Sequence, residues 1–379
     1  MEQIKGTNFG NWLVLEKWMS PDLFAGTDAE DEVWLNRLEE PQKLAERVKQ
    51  HRDTYVTQQD FKIVAEHGLN LVRIPVPYFI FGDVKPFIGC VEYLDRAFGW
   101  AEAYGIKILI DLHTVPGSQN GYDNGGITGV CKWCRDKEAV EFALTVLERL
   151  AEKYADRDGL YGIEVLNEPI SWIVYKTAPS TGKARDKNEA AGSGHVPFAF
   201  LKKFYKDAYR RIRRYLPEDK AIVFHDGFRL SRWKDFFVKE QMKNVIVDTH
   251  MYIFAMENFI PVRAMWAYRL FMAYNRWSIT RMAKYTPVVV GEWCMEQRWA
   301  LALADKKGKT DSERKALARK AYQTVAKLQL DVWELSAGWI YWNYQLYRDK
   351  KKPINDKLSM DAWALNRVWE HGWWPKEKA

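Results

Sequence analysis

The chain reads as an α/β protein built as a single (β/α)8 barrel, and three observations carry that reading. Short apolar runs bounded by turn residues recur eight times between Ile4 and Trp342, with helix-like stretches between them. Polar side chains gather at the carboxyl ends of those runs, the end where such barrels place their chemistry. The length of 379 residues suits two or three ordinary domains, but α/β barrels commonly exceed 200 residues as one unit. One domain spanning 1–379 is therefore expected.

In order, Ile4 opens a strand that runs into a Gly-Asn loop carrying Glu16 and Trp18, and residues 30–56 are helical in part. Thr57-Gln58-Gln59-Asp60 is an N-terminal capping signature, so a helix runs from there to about His67 and stops at Gly68. The strand from Leu69 to Pro75 contains Arg73, a charge too costly to bury unpaired, which predicts a facing carboxylate near the barrel mouth. A helix over Val91–Tyr104, ended by Gly105, feeds a strand from Ile106 to His113, and a helix over about Asp136–Tyr154 feeds the next, from Gly162 to Glu168, which stops at Pro169. Helix 198–215 precedes strands at Ala221–Asp226 and Val245–Tyr252. An aromatic helix near 262–284 leads to the strand ending at Glu292-Trp293, and helix 312–330 leads to the last strand, ending at Trp342. One insertion, at about 170–198, is rich in Ser, Gly, Lys and Ala; it is expected to lack regular structure and to hang over the mouth.

Glu168 and Glu292 end two similar apolar runs about 120 residues apart, consistent with three intervening βα units. Carboxylates on two strand ends suit glycoside hydrolysis, where one protonates the leaving oxygen and the other attacks the anomeric carbon. Singly, such residues are weak signals, because a strand-end Glu is usually ion-paired and a strand-end His usually a satisfied core group. Coincidence strengthens them: Arg73, His113, Asn167, Glu168, His250, Tyr252, Glu292 and Trp342 all fall at predicted carboxyl ends.

Composition narrows the alternatives. Aromatics make 15% of the chain, most of them expected in the core, although Trp and Tyr faces also suit sugar stacking. The net charge of +7 is spread over clusters mixed with acids or lying on helices, which points to solvated faces and away from nucleic acid. No run approaches a membrane span, and no apolar leader precedes Gly6, so a cytoplasmic location is expected unless a leader was trimmed. The four cysteines suggest no disulfide framework; Cys131-Lys132-Trp133-Cys134 lacks a second pair, and the histidines lack HxH or HExxH spacing. No metal or other cofactor is expected, and a monomer is.

The segments Gly6-Thr7-Asn8-Phe9-Gly10-Asn11-Trp12-Leu13-Val14-Leu15-Glu16, Leu69–Pro75, Ile110–His113, Pro116-Gly117-Ser118-Gln119-Asn120-Gly121-Tyr122-Asp123-Asn124, Leu166–Pro169, His250-Met251-Tyr252 and Gly291-Glu292-Trp293 together resemble glycoside hydrolase family five, and within it the exo-β-1,3-glucanases of yeasts and fungi. That resemblance implies a retaining mechanism with Glu168 as acid/base and Glu292 as nucleophile, roughly 5 Å apart. Glu168 then needs a raised pKa, expected from burial and the charge of Glu292, whereas Glu292 should be kept ionised by Arg73 and Tyr252. The resemblance further implies Asn167 on the sugar 2-hydroxyl, Glu16 and His113 in the terminal subsite, Trp342 as its stacking floor, His250 beside the acid/base, and Trp133, with Phe254, as entrance aromatics. The expected substrate is a β-linked gluco-oligosaccharide or glucoside cut from its non-reducing end. Endo-acting glucanase, diglycosidase or aryl-glucosidase action, and a non-catalytic carbohydrate-binding barrel, are the competing readings.

Overall fold

The computed structural model describes residues 2–177, 181–259, 264–346 and 358–375. Eight parallel strands close a barrel in chain order: β1 (Ile4–Asn8), β2 (Leu71–Val76), β3 (Lys107–Leu112), β4 (Leu160–Glu164), β5 (Ala221–His225), β6 (Val245–His250), β7 (Val288–Trp293) and β8 (Gly338–Tyr341). Closure comes from β1 pairing with β8, with Ile4 beside Gly338 and Thr7 beside Tyr341. The (β/α)8 expectation is met.

Local chemistry explains several boundaries. Thr57 and Asp60 form a reciprocal capping box at the head of helix Gln58–Glu66. Helix Val91–Tyr104 stops where Gly105 adopts a left-handed φ of 69°, a conformation open to glycine without a Cβ penalty. Helix Lys137–Tyr154 starts where the Asp136 carboxylate accepts from the amides of Glu138 and Ala139.

Side chains of Ile4, Leu71, Leu109, Ala221, Val223, Ile246, Val289 and Ile340 form one apolar cluster inside the barrel, fed by seven of the eight strands. A larger core lies between barrel and helices, and there Trp12, Trp133, Trp233, Trp293 and Trp333 are fully buried. No helix among the described residues is long and apolar enough to cross a membrane. All four cysteines are free thiols.

Two expectations need correction. The strand expected to reach Glu168 ends at Glu164; the chain continues beside the sheet, with the Asn167 amide bonded to the Leu112 carbonyl, and Glu168 sits in the following loop at a φ of 43°. The insertion is not structureless. It contains the helix Trp172–Thr177 and the short turn Lys187–Ala190, and it is tied down by Arg37–Glu189 at 2.7 Å and Arg185–Glu30 at 2.8 Å. The Gly194 amide also donates to the Cys131 carbonyl at 2.9 Å. Side-chain and backbone partners supplied by distant segments replace the regular pattern that the insertion's own composition lacks.

Candidate active site

Arg73 is the centre of the barrel mouth. Fully buried on β2, it meets Glu164 of β4 at 2.6 Å, Glu292 of β7 at 3.0 Å and Asp111 of β3 at 3.2 Å. It also donates to the amide oxygens of Asn8 at 3.0 Å and Asn167 at 2.9 Å. Five acceptors thus surround the planar guanidinium, which offers five N–H donors in a fixed fork. The carboxylate predicted opposite Arg73 exists, and two further ones share it.

This fork orients the neighbours. Because Asn167 spends its oxygen on Arg73, its amide nitrogen faces His113 Nε2 at 3.4 Å, while His113 Nδ1 lies 2.5 Å from Asp111. Nδ1 therefore carries the hydrogen and Nε2 accepts, which fixes the imidazole ring. That ring lies parallel to the Trp342 indole, 5.7 Å between centroids and 7° between planes. A Cβ on Gly10 would come within 2.6 Å of the same indole, so this glycine gives Trp342 its room.

Glu168 and Glu292 converge on one imidazole nitrogen. His250 Nδ1 is 2.8 Å from Glu168 Oε1 and 3.3 Å from Glu292 Oε2, so those oxygens are separated by no more than about 6 Å, close to the spacing of a double displacement. Tyr252 donates to Glu292 at 2.7 Å and Asn124 to Glu168 at 3.0 Å. On its other edge His250 meets Asp248 at 3.3 Å, and Asp248 accepts from the Gly291 amide at 2.7 Å. A Cβ on Gly291 would lie 2.0 Å from Asp248, so only glycine permits this approach.

The electrostatics depart from the expectation for Glu168. Burial pushes its carboxyl up, but the hydrogen bond and charge of His250 prevail and hold it at about 2. His250 itself is disfavoured as a cation by burial, yet Glu292, Asp248 and Glu168 drive its pKa well above the usual imidazole range. For Glu292, burial raises the pKa against the pull of His250 and Arg73. In this arrangement the mobile proton rests on His250, between two carboxylates, rather than on Glu168. Neighbouring His225 stays neutral, chiefly through burial: the Gly227 amide donates to its Nδ1 at 2.9 Å, and its ring stands edge-on to His250 at 4.3 Å.

Glu16 is buried; Trp18 donates to its Oε2 at 2.8 Å, and its Oε1 has no partner among the described residues. Burial and the charge of Asp123 push its carboxyl well up. An unpartnered buried acceptor is a ready hydroxyl-binding group. Trp133 is the correction within the site set. It is 0% exposed and packs edge-on against Phe200 and Phe204 at 5.4 and 4.6 Å, so it belongs to the core and offers no face to a sugar. Phe254, half-buried, packs on Tyr252 and Trp363 at the mouth. Sequence reasoning missed the supporting acids Asp111, Glu164 and Asp248, although each interrupts an apolar strand just as Arg73 does. Asp123 and Asn124, which act on Glu16 and Glu168, likewise carry no role in the sequence pattern.

The family model described as cellulase (glycosyl hydrolase family 5) matches residues 40–346. The chain belongs to glycosyl hydrolase family 5. This family 5 barrel is similar to the probable glucan 1,3-beta-glucosidase A of Emericella nidulans, 33% identical over 391 residues that cover 91% of this chain and 85% of that protein. It is also similar to the glucan 1,3-beta-glucosidase of Blumeria graminis, 30% identical over 91% of this chain and 82% of that protein. Among solved structures, rutinosidase from Aspergillus niger has the same fold, with a TM-score of 0.74 at 21% identity, covering 98% of this chain and 97% of that one.

Proposed function

We propose that the protein is a retaining β-glucoside hydrolase that releases glucose from the non-reducing ends of β-1,3-glucans, with Glu292 as nucleophile and Glu168 as acid/base. The observation that carries this reading is the single imidazole nitrogen of His250 within reach of both carboxylates, which limits their separation to about 6 Å. The substrate class rests on the similarity to glucan 1,3-beta-glucosidases over nine-tenths of the chain.

In the first step a Glu292 oxygen bonds to the anomeric carbon as the bond to the leaving oxygen breaks and Glu168 delivers a proton to that oxygen. Because Glu168 is ionised in the unliganded site, the proton reaches it from His250 Nδ1, its hydrogen-bond partner. In the second step Glu168 takes a proton from water, whose oxygen attacks the anomeric carbon and frees Glu292. Arg73 and Tyr252 balance charge on Glu292 throughout, and Asn167, oriented by Arg73, meets the sugar 2-hydroxyl. Glu16 and His113 receive the far hydroxyls of a terminal glucose over the Trp342 face.

Hydrolysis of laminaribiose and of an aryl β-glucoside tests the reading. Glu292→Ala should lose several orders of magnitude in kcat, and azide should restore turnover of the aryl substrate as the α-glucosyl azide. Glu168→Ala with azide should give the β-anomer instead. Full activity in Glu292→Ala, or the same azide anomer from both variants, overturns the assignment of roles.

A further inference from the structure

The helix Met265–Met282 precedes β7 on the outside of the barrel. Its inner face is ordinary: Ala267, Tyr268, Met272, Asn275, Ser278, Ile279 and Met282 are buried. Its outer face is not. Trp266, Leu270, Tyr274 and Trp277 are 59%, 63%, 62% and 50% exposed. Their spacing of four, four and three residues lines them up on one side, a stripe roughly 16 Å long at the rise of an α-helix. Scattered exposed apolar residues need no explanation, but a contiguous stripe of three aromatics and a leucine does.

The charges beside the stripe have one sign. Between Glu257 and Glu292 the sequence contains no acidic residue. Arg269, Arg276, Arg281 and Lys284 are exposed, and none has an ion-pair partner among the described residues. The Arg281 guanidinium lies 5.1 Å from the Trp277 ring, and Lys234 of the adjoining segment 4.8 Å from Tyr285. Lys234, Trp277, Ser278 and Arg281 line a common cleft. On the neighbouring surface, by contrast, Lys206 is paired with Glu240 and Lys239 with Asp235.

We propose that this face docks flat on the headgroup region of a lipid bilayer carrying anionic lipids. Tryptophan, tyrosine and leucine at the boundary of the acyl chains, with arginine and lysine at the phosphates, is the pattern of an in-plane interfacial helix. Charge decides against other occupants. A second copy of the chain would bring the same arginines face to face, and a neutral glucan makes no use of four cations without counter-ions or of Leu270.

Co-sedimentation with phosphatidylcholine vesicles, with and without phosphatidylglycerol, tests the proposal. The wild-type protein should partition onto the anionic vesicles about tenfold more strongly than onto the neutral ones. Trp266→Ser/Leu270→Ser/Tyr274→Ser/Trp277→Ser should abolish binding, as should Arg269→Glu/Arg276→Glu/Arg281→Glu, and both variants should hydrolyse a soluble aryl β-glucoside at the wild-type rate, which also shows that they fold. No partition onto anionic vesicles overturns the proposal, and so does binding that survives in both variants. Sedimentation equilibrium showing a dimer that the first variant dissolves, or binding to insoluble curdlan through the stripe without vesicle binding, would overturn it as well.

Discussion

The interior of the barrel holds two layers built on the same strands and separated by two residues. Leu71, Leu109 and Ile246 belong to the apolar floor, while Arg73, Asp111 and Asp248, two positions on and so on the same face, belong to the charged mouth. Val223 and His225 repeat the step on β5. Burial is complete in both layers, yet they are held by different forces. The floor gains from removing apolar surface from water, without directional demands. The mouth survives only because each charge has a partner at hydrogen-bond distance, and loss of one partner leaves the others exposed to the full cost of burial. Stability belongs to the first layer and chemistry to the second.

Arg73→Met is the sharpest way to break that contrast, because it conserves bulk and removes the cation that Asp111, Glu164 and Glu292 share. Breaking a buried ion pair costs about 3–5 kcal/mol, and here three carboxylates lose their partner together. Chemical denaturation should show a loss at the upper end of that range, and kcat/KM for an aryl glucoside should fall by orders of magnitude. Wild-type values in either assay would show that packing, not pairing, holds the mouth. Leu109→Ala is the matching change in the floor. A cavity there should cost about 2–5 kcal/mol while leaving kcat unchanged at temperatures where the variant is folded.

The layers also differ in pH response, since the floor has nothing to titrate. Asp226, after β5, accepts from the Phe228 amide and the Thr249 hydroxyl, but burial outweighs both bonds and raises its pKa from 3.8 to about 6. A raised folded-state pKa means that the stabilisation by the neutral acid is complete below pH 4 and is lost as pH rises through about 6. Asp226→Asn should therefore be more stable than wild type at pH 7, by up to about 3 kcal/mol for a shift of this size. The gain should vanish at pH 4. An equal gain at both pH values would assign the effect to packing. Glu168 has the opposite sign: held at about 2, it contributes stability that is lost as pH falls from its ordinary 4.5 through that value.

The sequence shows the alternation of strand and helix plainly, because each floor residue sits in a run of apolar neighbours. The mouth is only partly legible. Arg73 stands out as a charge inside a strand, so a partner was foreseeable, but three strands contribute its carboxylates, and local spacing cannot say that β3, β4 and β7 converge. Trp133 follows a distinctive loop, and nothing in the order of residues reveals that its ring turns inward onto Phe200 and Phe204. The insertion looked structureless for the same reason: Glu189 finds Arg37 from 152 positions away. The low pKa of Glu168 depends on the His250 ring lying at hydrogen-bond distance from it, a matter of three-dimensional geometry alone.

Tyr252→Phe sharpens the comparison with the smallest perturbation, one oxygen atom. The hydroxyl donates at 2.7 Å to Glu292 Oε2, while Oε1 keeps its bond to Arg73. A hydrogen bond to a charged group contributes about 1.5–3 kcal/mol, so kcat/KM should fall by about tenfold to a hundredfold if the bond matters to the nucleophile's reaction. The Tyr252 ring keeps its packing on Phe254 and Trp363, which limits the change in stability. A variant that lost stability and kept kcat/KM would place Tyr252 with the floor, as packing material. The reverse result, with the unfolding midpoint unchanged and turnover reduced, is what membership of the charged layer requires.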